Sequence, residues 1–158
     1  ENMSKSLKRV VRALAEAGHD ITPLEMPSET RTAQQAGDAA GCHLDQIAKS
    51  IIFHGETSGE AILFITAGGN QVDAAKASEV AGEPLGKANA ALIRTQTGFA
   101  IGRVSPIGHL NPIRAFWDAR LSEFDSVFAA AGTPRHIFPI APDVLRSLSG
   151  AVSADFVG

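Results

Sequence analysis

Lys49 is the residue least at home among its neighbours. It stands in Gln46-Ile47-Ala48-Lys49-Ser50-Ile51-Ile52-Phe53, an apolar run of strand character. A period of two places it on one face with Ile47, Ile51 and Phe53. Two readings are open. Lys49 is an edge lysine with a packed stem and its head in water, or it is a cation on the floor of a cleft, able to hold a phosphate or a carbonyl oxygen. A second anomaly is Gly102-Arg103-Val104-Ser105-Pro106-Ile107-Gly108. A glycine inside a strand lets another backbone or a ligand approach, and Ser105-Pro106 forces an extended or turning chain that Gly108 completes. It reads either as a strand end with a tight turn or as a loop whose free N–H groups face an oxyanion or a sugar.

The remaining candidates carry less. His136 opens a strand after Gly132-Thr133-Pro134, where a structural role and a role in a site are both open. Cys42, the one cysteine, suits a small, partly buried filler and a reducing compartment. The five histidines and Cys42 show no metal-ligand spacing, so no metal and no cofactor are expected. There is no Walker loop, no G-x-G-x-x-G and no G-x-S-x-G.

Bulk properties narrow the class. With 158 residues, 44% hydrophobic and 20% charged, the chain reads as a globular domain spanning 1–158. The absence of a bilayer-length apolar run or an apolar signal core points to the cytoplasm and away from a membrane. A net charge of −3 disfavours a broad grip on nucleic acid, DNA included, while permitting a local hold on an RNA end.

The elements that must position these residues follow from periodicity and punctuation. Residues 4–17 form an amphipathic helix burying Leu7, Val10, Val11 and Leu14, with Lys5, Lys8, Arg9 and Arg12 on the rest, read as a solvated face ahead of a contact for RNA phosphates. Thr32 and Gln35 match a capping box opening a helix that ends at Gly41. Further helices are expected over 73–81, 89–94 and 142–148. Strands are expected over 21–26, 46–54, 61–67, 99–104, 112–118, 126–131, 135–140 and 154–157. Helices and strands do not alternate strictly, which argues against a doubly wound sheet. The expected class is α/β (α+β), a curved mixed sheet or partial barrel flanked by helices.

Thr32-Ala33 opening a helix, the Lys49 strand, Thr97-Gly98-Phe99 and the Gly102-x-x-Ser105-Pro106-x-Gly108 loop together resemble the YbaK/ProX family. These are free-standing relatives of the editing domain inserted in bacterial prolyl-tRNA synthetases. The resemblance extends through Ala131-Gly132 and Ile140-Ala141-Pro142, covering about residues 7–156. It implies a metal-independent aminoacyl-tRNA deacylase that works in trans on the acceptor end of mischarged tRNA, most often proline tRNA, with prolyl-tRNA synthetase as a further partner. It also implies the catalytic pair Lys49 and Gly102, and a substrate pocket shaped by Thr32, Ser50, Ser105, Pro106, Gly108 and His136. Ser50 stands where some members have asparagine or threonine. The rival from another class is a non-catalytic module binding a tRNA end or a synthetase.

Overall fold

Ser4 caps the first helix by accepting a hydrogen bond from the Leu7 amide at 3.1 Å, and α1 (Lys5–Glu16) buries Leu7, Val10 and Leu14. The computed structural model describes residues 4–158. After the two-residue strand β1 (Leu24–Glu25), Thr32 caps α2 (Ala33–Ala40). Only half of the capping box forms there: the Thr32 hydroxyl accepts from the Gln35 amide, while the Gln35 side chain reaches back to the Arg31 amide. A 3₁₀ turn (Leu44–Gln46) then leads into β2 (Ile47–Gly55) and β3 (Ala61–Ala67). The rest is α3 (Ala74–Ala81), β4 (Leu85–Lys87), α4 (Ala90–Thr97), β5 (Arg114–Trp117), a 3₁₀ turn (Ala119–Glu123), β6 (Val127–Ala130), β7 (His136–Ile140), α5 (Pro142–Ser149) and β8 (Val152–Ser153).

The strands make one mixed sheet in the order β1-β7-β6-β2-β3-β5-β8, with β4 also paired to β2. β3 is buried along its whole length, as its unbroken apolar run predicts. Its alternate residues feed two cores. Leu63 and Ile65 pack with Leu14, Phe99, Trp117, Phe138 and Leu145, whereas Ile62 and Phe64 pack with Ala77, Ala81 and Phe156. Burying each such large side chain stabilises the fold by about 1.5–3 kcal/mol. The mixed sheet with flanking helices is the architecture expected.

Three expectations are corrected. Residues 99–104 form a loop, because Gly98 and Gly102 take φ of 81° and the Arg103 amide closes a turn onto the Ala100 carbonyl at 3.0 Å. The final strand lies at Val152–Ser153, and Val157 makes only a single bridge with Val72. The 21–26 strand shrinks to two residues. β4 and both 3₁₀ turns carry no sequence signal strong enough to expect.

One irregularity of the sheet matters most for function. β2 pairs with β3 from Ala48 to His54. Its other edge is shared, with β6 covering Ile47 and Ala48 and β4 covering Phe53 to Gly55. Between them, residues 49–52 have no strand partner on that edge. The sheet is therefore split beside Lys49.

Candidate active site

The split opens into a cavity of about 500 Å³ that holds Lys49, Ser50, Gly102, Thr32 and His136 in one lining. Five of the eight residues singled out in the sequence thus come together from β2, α2, β7 and the 98–108 loop. The other three do not. Ser105 and Pro106 are buried behind the loop, and Gly108 faces a separate surface depression with Pro106. They shape the loop without lining the cleft.

Lys49 is half-buried and donates to the Gly68 carbonyl at 3.2 Å, its one hydrogen bond among the described residues. An ammonium has three donors, so two remain for a ligand. Burial pulls its pKa below the ordinary lysine value, against the opposing pull of Asp118 and then Asp45. Both carboxylates lie behind the site and are committed elsewhere. Asp118 accepts from the Ala67 amide, the Asn70 side chain and the Arg120 amide at 2.8–3.0 Å. Asp45 accepts from the Gly69 amide at 2.8 Å and from Arg120 Nε at 2.9 Å. Gly68 must be glycine, since a Cβ there would collide with the Leu44 carbonyl oxygen.

Gly102 presents bare backbone from the opposite side. A Cβ there would meet nothing within 4 Å, so its positive φ, and no neighbouring atom, is what asks for glycine. The loop carrying it is braced from behind by Arg9. The guanidinium donates from Nε to the Gly108 carbonyl at 2.9 Å and from a terminal nitrogen to the Gly98 carbonyl at 2.8 Å, and lies 4.5 Å from the Phe99 ring centroid. His109 adds a 2.7 Å bond from Nε2 to the Ser105 carbonyl. Arg9 is therefore removed from the solvated face assigned to it by helical periodicity, because its partners lie about 90 residues away in sequence.

The far wall is β7 and its entering turn. Thr133 Oγ1 sits 2.7 Å from His136 Nδ1, fixing the ring, while His136 Nε2 lies 4.0 Å from Glu25. Ser50 Oγ is buried without a partner among the described residues. Sequence reasoning missed the cleft's apolar contributors Ala36, Phe128 and Ile137, and also Thr133. The Gly132-Thr133-Pro134 punctuation marked the turn, though nothing marked its proximity to Lys49. Among the described residues no group of three or more His, Cys, Asp or Glu side chains could hold a metal ion, and no helix is long and apolar enough to cross a membrane.

Fold and cleft define a class: a mixed-sheet domain whose split edge offers one lysine and one bare glycine backbone to an anionic or carbonyl-bearing ligand. The chain belongs to the aminoacyl-tRNA editing domain family, whose model matches residues 27–148. A solved structure of a candidate trans-editing enzyme for prolyl tRNA synthetase shares 42% identity, covers 99% of both chains and superposes with a TM-score of 0.91. A chain used as a scaffold for epitope backbone grafting gives 39% identity over 99% of both chains, also with a TM-score of 0.91. The uncharacterised protein YwhH of Bacillus subtilis (strain 168) is 29% identical over 144 residues, 91% of each chain. The protein is thus an editing-domain protein with tRNA as its substrate class.

Proposed function

We propose that the whole chain, 1–158, acts as one cytoplasmic editing domain that hydrolyses the ester of mischarged tRNA in trans, with proline tRNA carrying a small non-cognate amino acid as the main substrate. The observation that carries this reading is the meeting of Lys49 and Gly102 across a cleft whose lining, among the described residues, contains no carboxylate and no cysteine. Such a site is built to stabilise negative charge and offers no acidic general base. An aminoacyl ester is already activated, so positioning and charge stabilisation suffice.

In this mechanism Lys49 donates to the terminal phosphate or the ester carbonyl oxygen, and the backbone at Gly102 lets the ester approach. Water adds to the carbonyl carbon, the bond from that carbon to the ribose oxygen breaks, and a water proton ends on the ribose oxygen. The products are a free amino acid and uncharged tRNA. The neighbouring ribose hydroxyl orients the water. His136, its ring held by Thr133, faces the amino acid side chain, and Thr32 and Ser50 complete the pocket. Ser105, Pro106 and Gly108 act by shaping the loop. No metal or cofactor takes part, so a chelator leaves the rate unchanged. Selection is by pocket size, where one methylene is worth about 1–3 kcal/mol.

The test is deacylation of proline tRNA charged in turn with alanine, serine, cysteine, threonine, 2-aminobutyrate and proline, by wild type and by Lys49→Ala. Lys49-dependent loss of one or two non-cognate residues with prolyl-tRNA spared is expected. Binding of charged tRNA without hydrolysis of any of them would instead establish the non-catalytic module, docked on a tRNA end or on prolyl-tRNA synthetase.

A further inference from the structure

Eight of the fourteen lysines and arginines sit in two stretches, 2–15 and 84–117, that hold none of the seventeen acidic side chains. A net charge of −3 therefore conceals a strongly uneven distribution. The fold brings the two stretches together. From α1, Arg9 reaches the Gly98 and Gly108 carbonyls, and burial followed by the like charge of Arg94 holds its pKa below the ordinary arginine value. Arg94 itself is exposed in the last turn of α4.

Lys5, Lys8 and Arg12 are exposed and stand at i, i+3 and i+7, so they line one face of α1 over about 10 Å. Periodicity alone reads that face as merely solvated. Two observations change the reading. The face is not neutralised: among the described residues Lys5, Lys8, Arg12 and Arg94 make no ion pair, whereas Arg114 is tied to Glu83 beside the end of α3. It is also aimed. At the start of α1, Ser6 packs against Gly132, where an added Cβ would lie 3.0 Å from the Ser6 Cβ. The next two residues, Thr133 and Pro134, line the Lys49 cleft. The row of cations thus starts at the cleft rim and runs away from it along the helix.

Composition says what lies on that row. The apolar face of α1 is buried in the core through Leu7, Val10 and Leu14, so nothing is left to enter a lipid surface. Among the described residues no Phe or Trp is exposed to stack unpaired bases. A straight row of unpaired cations matches regularly spaced phosphates, as on the backbone of paired RNA.

We propose that α1 and the end of α4 form a docking surface for the double-stranded RNA stem that adjoins the reacting end. Lys8, Arg12 and Arg94 hold its phosphates, and Arg9 links this surface to the Gly102 wall by bracing the loop. This rests on the editing function proposed above and adds a partner surface outside the catalytic cleft.

The test is titration of an uncharged hairpin carrying the acceptor stem of proline tRNA into wild type, Lys8→Ala/Arg12→Ala and Lys76→Ala. The last is a control on the opposite face of the sheet, since α3 packs with Ile62 and Phe64 while α1 packs with Leu63 and Ile65. The double variant should raise Kd about threefold to thirtyfold. It should also flatten the log–log salt dependence by about 1.8, and the control should change neither. In deacylation the double variant should raise KM by the same factor with kcat held. Both side chains are exposed, so the fold tolerates their loss. No hairpin binding by wild type, an unchanged Kd and slope, or an equal loss in Lys76→Ala would each overturn the surface. Loss of binding to phosphatidylserine vesicles with hairpin binding unchanged would assign the face to a membrane instead. If wild type deacylates while neither Kd nor KM moves in the double variant, the surface is wrong and editing stands. If wild type deacylates nothing yet hairpin binding depends on Lys8 and Arg12, hydrolysis is wrong and the surface stands.

Discussion

The two walls that face each other across the cleft are held by opposite means. The Lys49 wall is a central strand paired to β3 over seven residues, with Asp118 and Asp45 fixing the turns behind it. The Gly102 wall has no strand pairing and depends on Arg9 and His109. The difference separates two jobs. A strand fixes a charge in position, whereas a loop with positive-φ glycine exposes backbone that a sheet would consume.

The largest expected effect comes from the charge on the rigid wall. Lys49→Met should lower kcat by about 10²–10³-fold, the usual cost of removing one group that stabilises developing charge. Its unfolding midpoint in urea should stay level or rise, because burial already disfavours the ammonium. A large fall in the midpoint would mean that Lys49 holds the sheet together, and the contrast between the walls would collapse.

On the loop wall, activity and stability should fall together. Gly102→Ala fits the available space but places a Cβ at φ of 81°, a strain of about 1–2 kcal/mol. Relieved by loop movement, that strain appears as about a 5–30-fold loss of kcat/KM. Arg9→Gln removes two bonds from a charged donor and the contact with Phe99. Denaturant unfolding should show a loss of about 1.5–3 kcal/mol, with kcat reduced and Arg9→Lys restoring only part of each. Unchanged kcat in Arg9→Gln would show that the loop keeps its shape without the brace.

The two walls also differ in how well the sequence disclosed them. Period-two alternation found β2 and the odd placement of Lys49, since burial of alternate faces is written into neighbouring residues. The cap at Thr32 is legible for the same local reason. The loop reads as a strand in sequence, because Phe99, Ala100, Ile101 and Val104 make it apolar, while its geometry is set by an arginine far away in sequence. Arg9 itself read as solvated, as helical periodicity cannot report a carbonyl partner from another segment. The split in the sheet was invisible too: it exists because β4 and β6 stop short of each other on β2, a matter of register that no single strand encodes.

The smallest effect separates the walls by pH. His109 donates from Nε2 to a carbonyl, and burial, helped by Arg9 and opposed by that hydrogen bond, holds its pKa below the ordinary histidine value. A folded pKa below the unfolded one gives stability that is complete above the unfolded value, about 6.5, and is lost as pH falls through the folded value. On the strand wall, burial pushes Asp45 up, but Arg120 and the Gly69 amide outweigh it and hold the carboxyl below its usual range. The Asp45 contribution is therefore complete above about 3.9 and lost only as pH falls through its own lower value. Between those windows only the loop should loosen. The kcat/KM of wild type should decline reversibly as pH falls below about 6.5, while far-UV circular dichroism stays constant. His109→Gln, whose amide can donate to the same carbonyl without titrating, should flatten that limb. A limb that persists in His109→Gln would move the acid sensitivity to another group and leave the loop brace insensitive to pH.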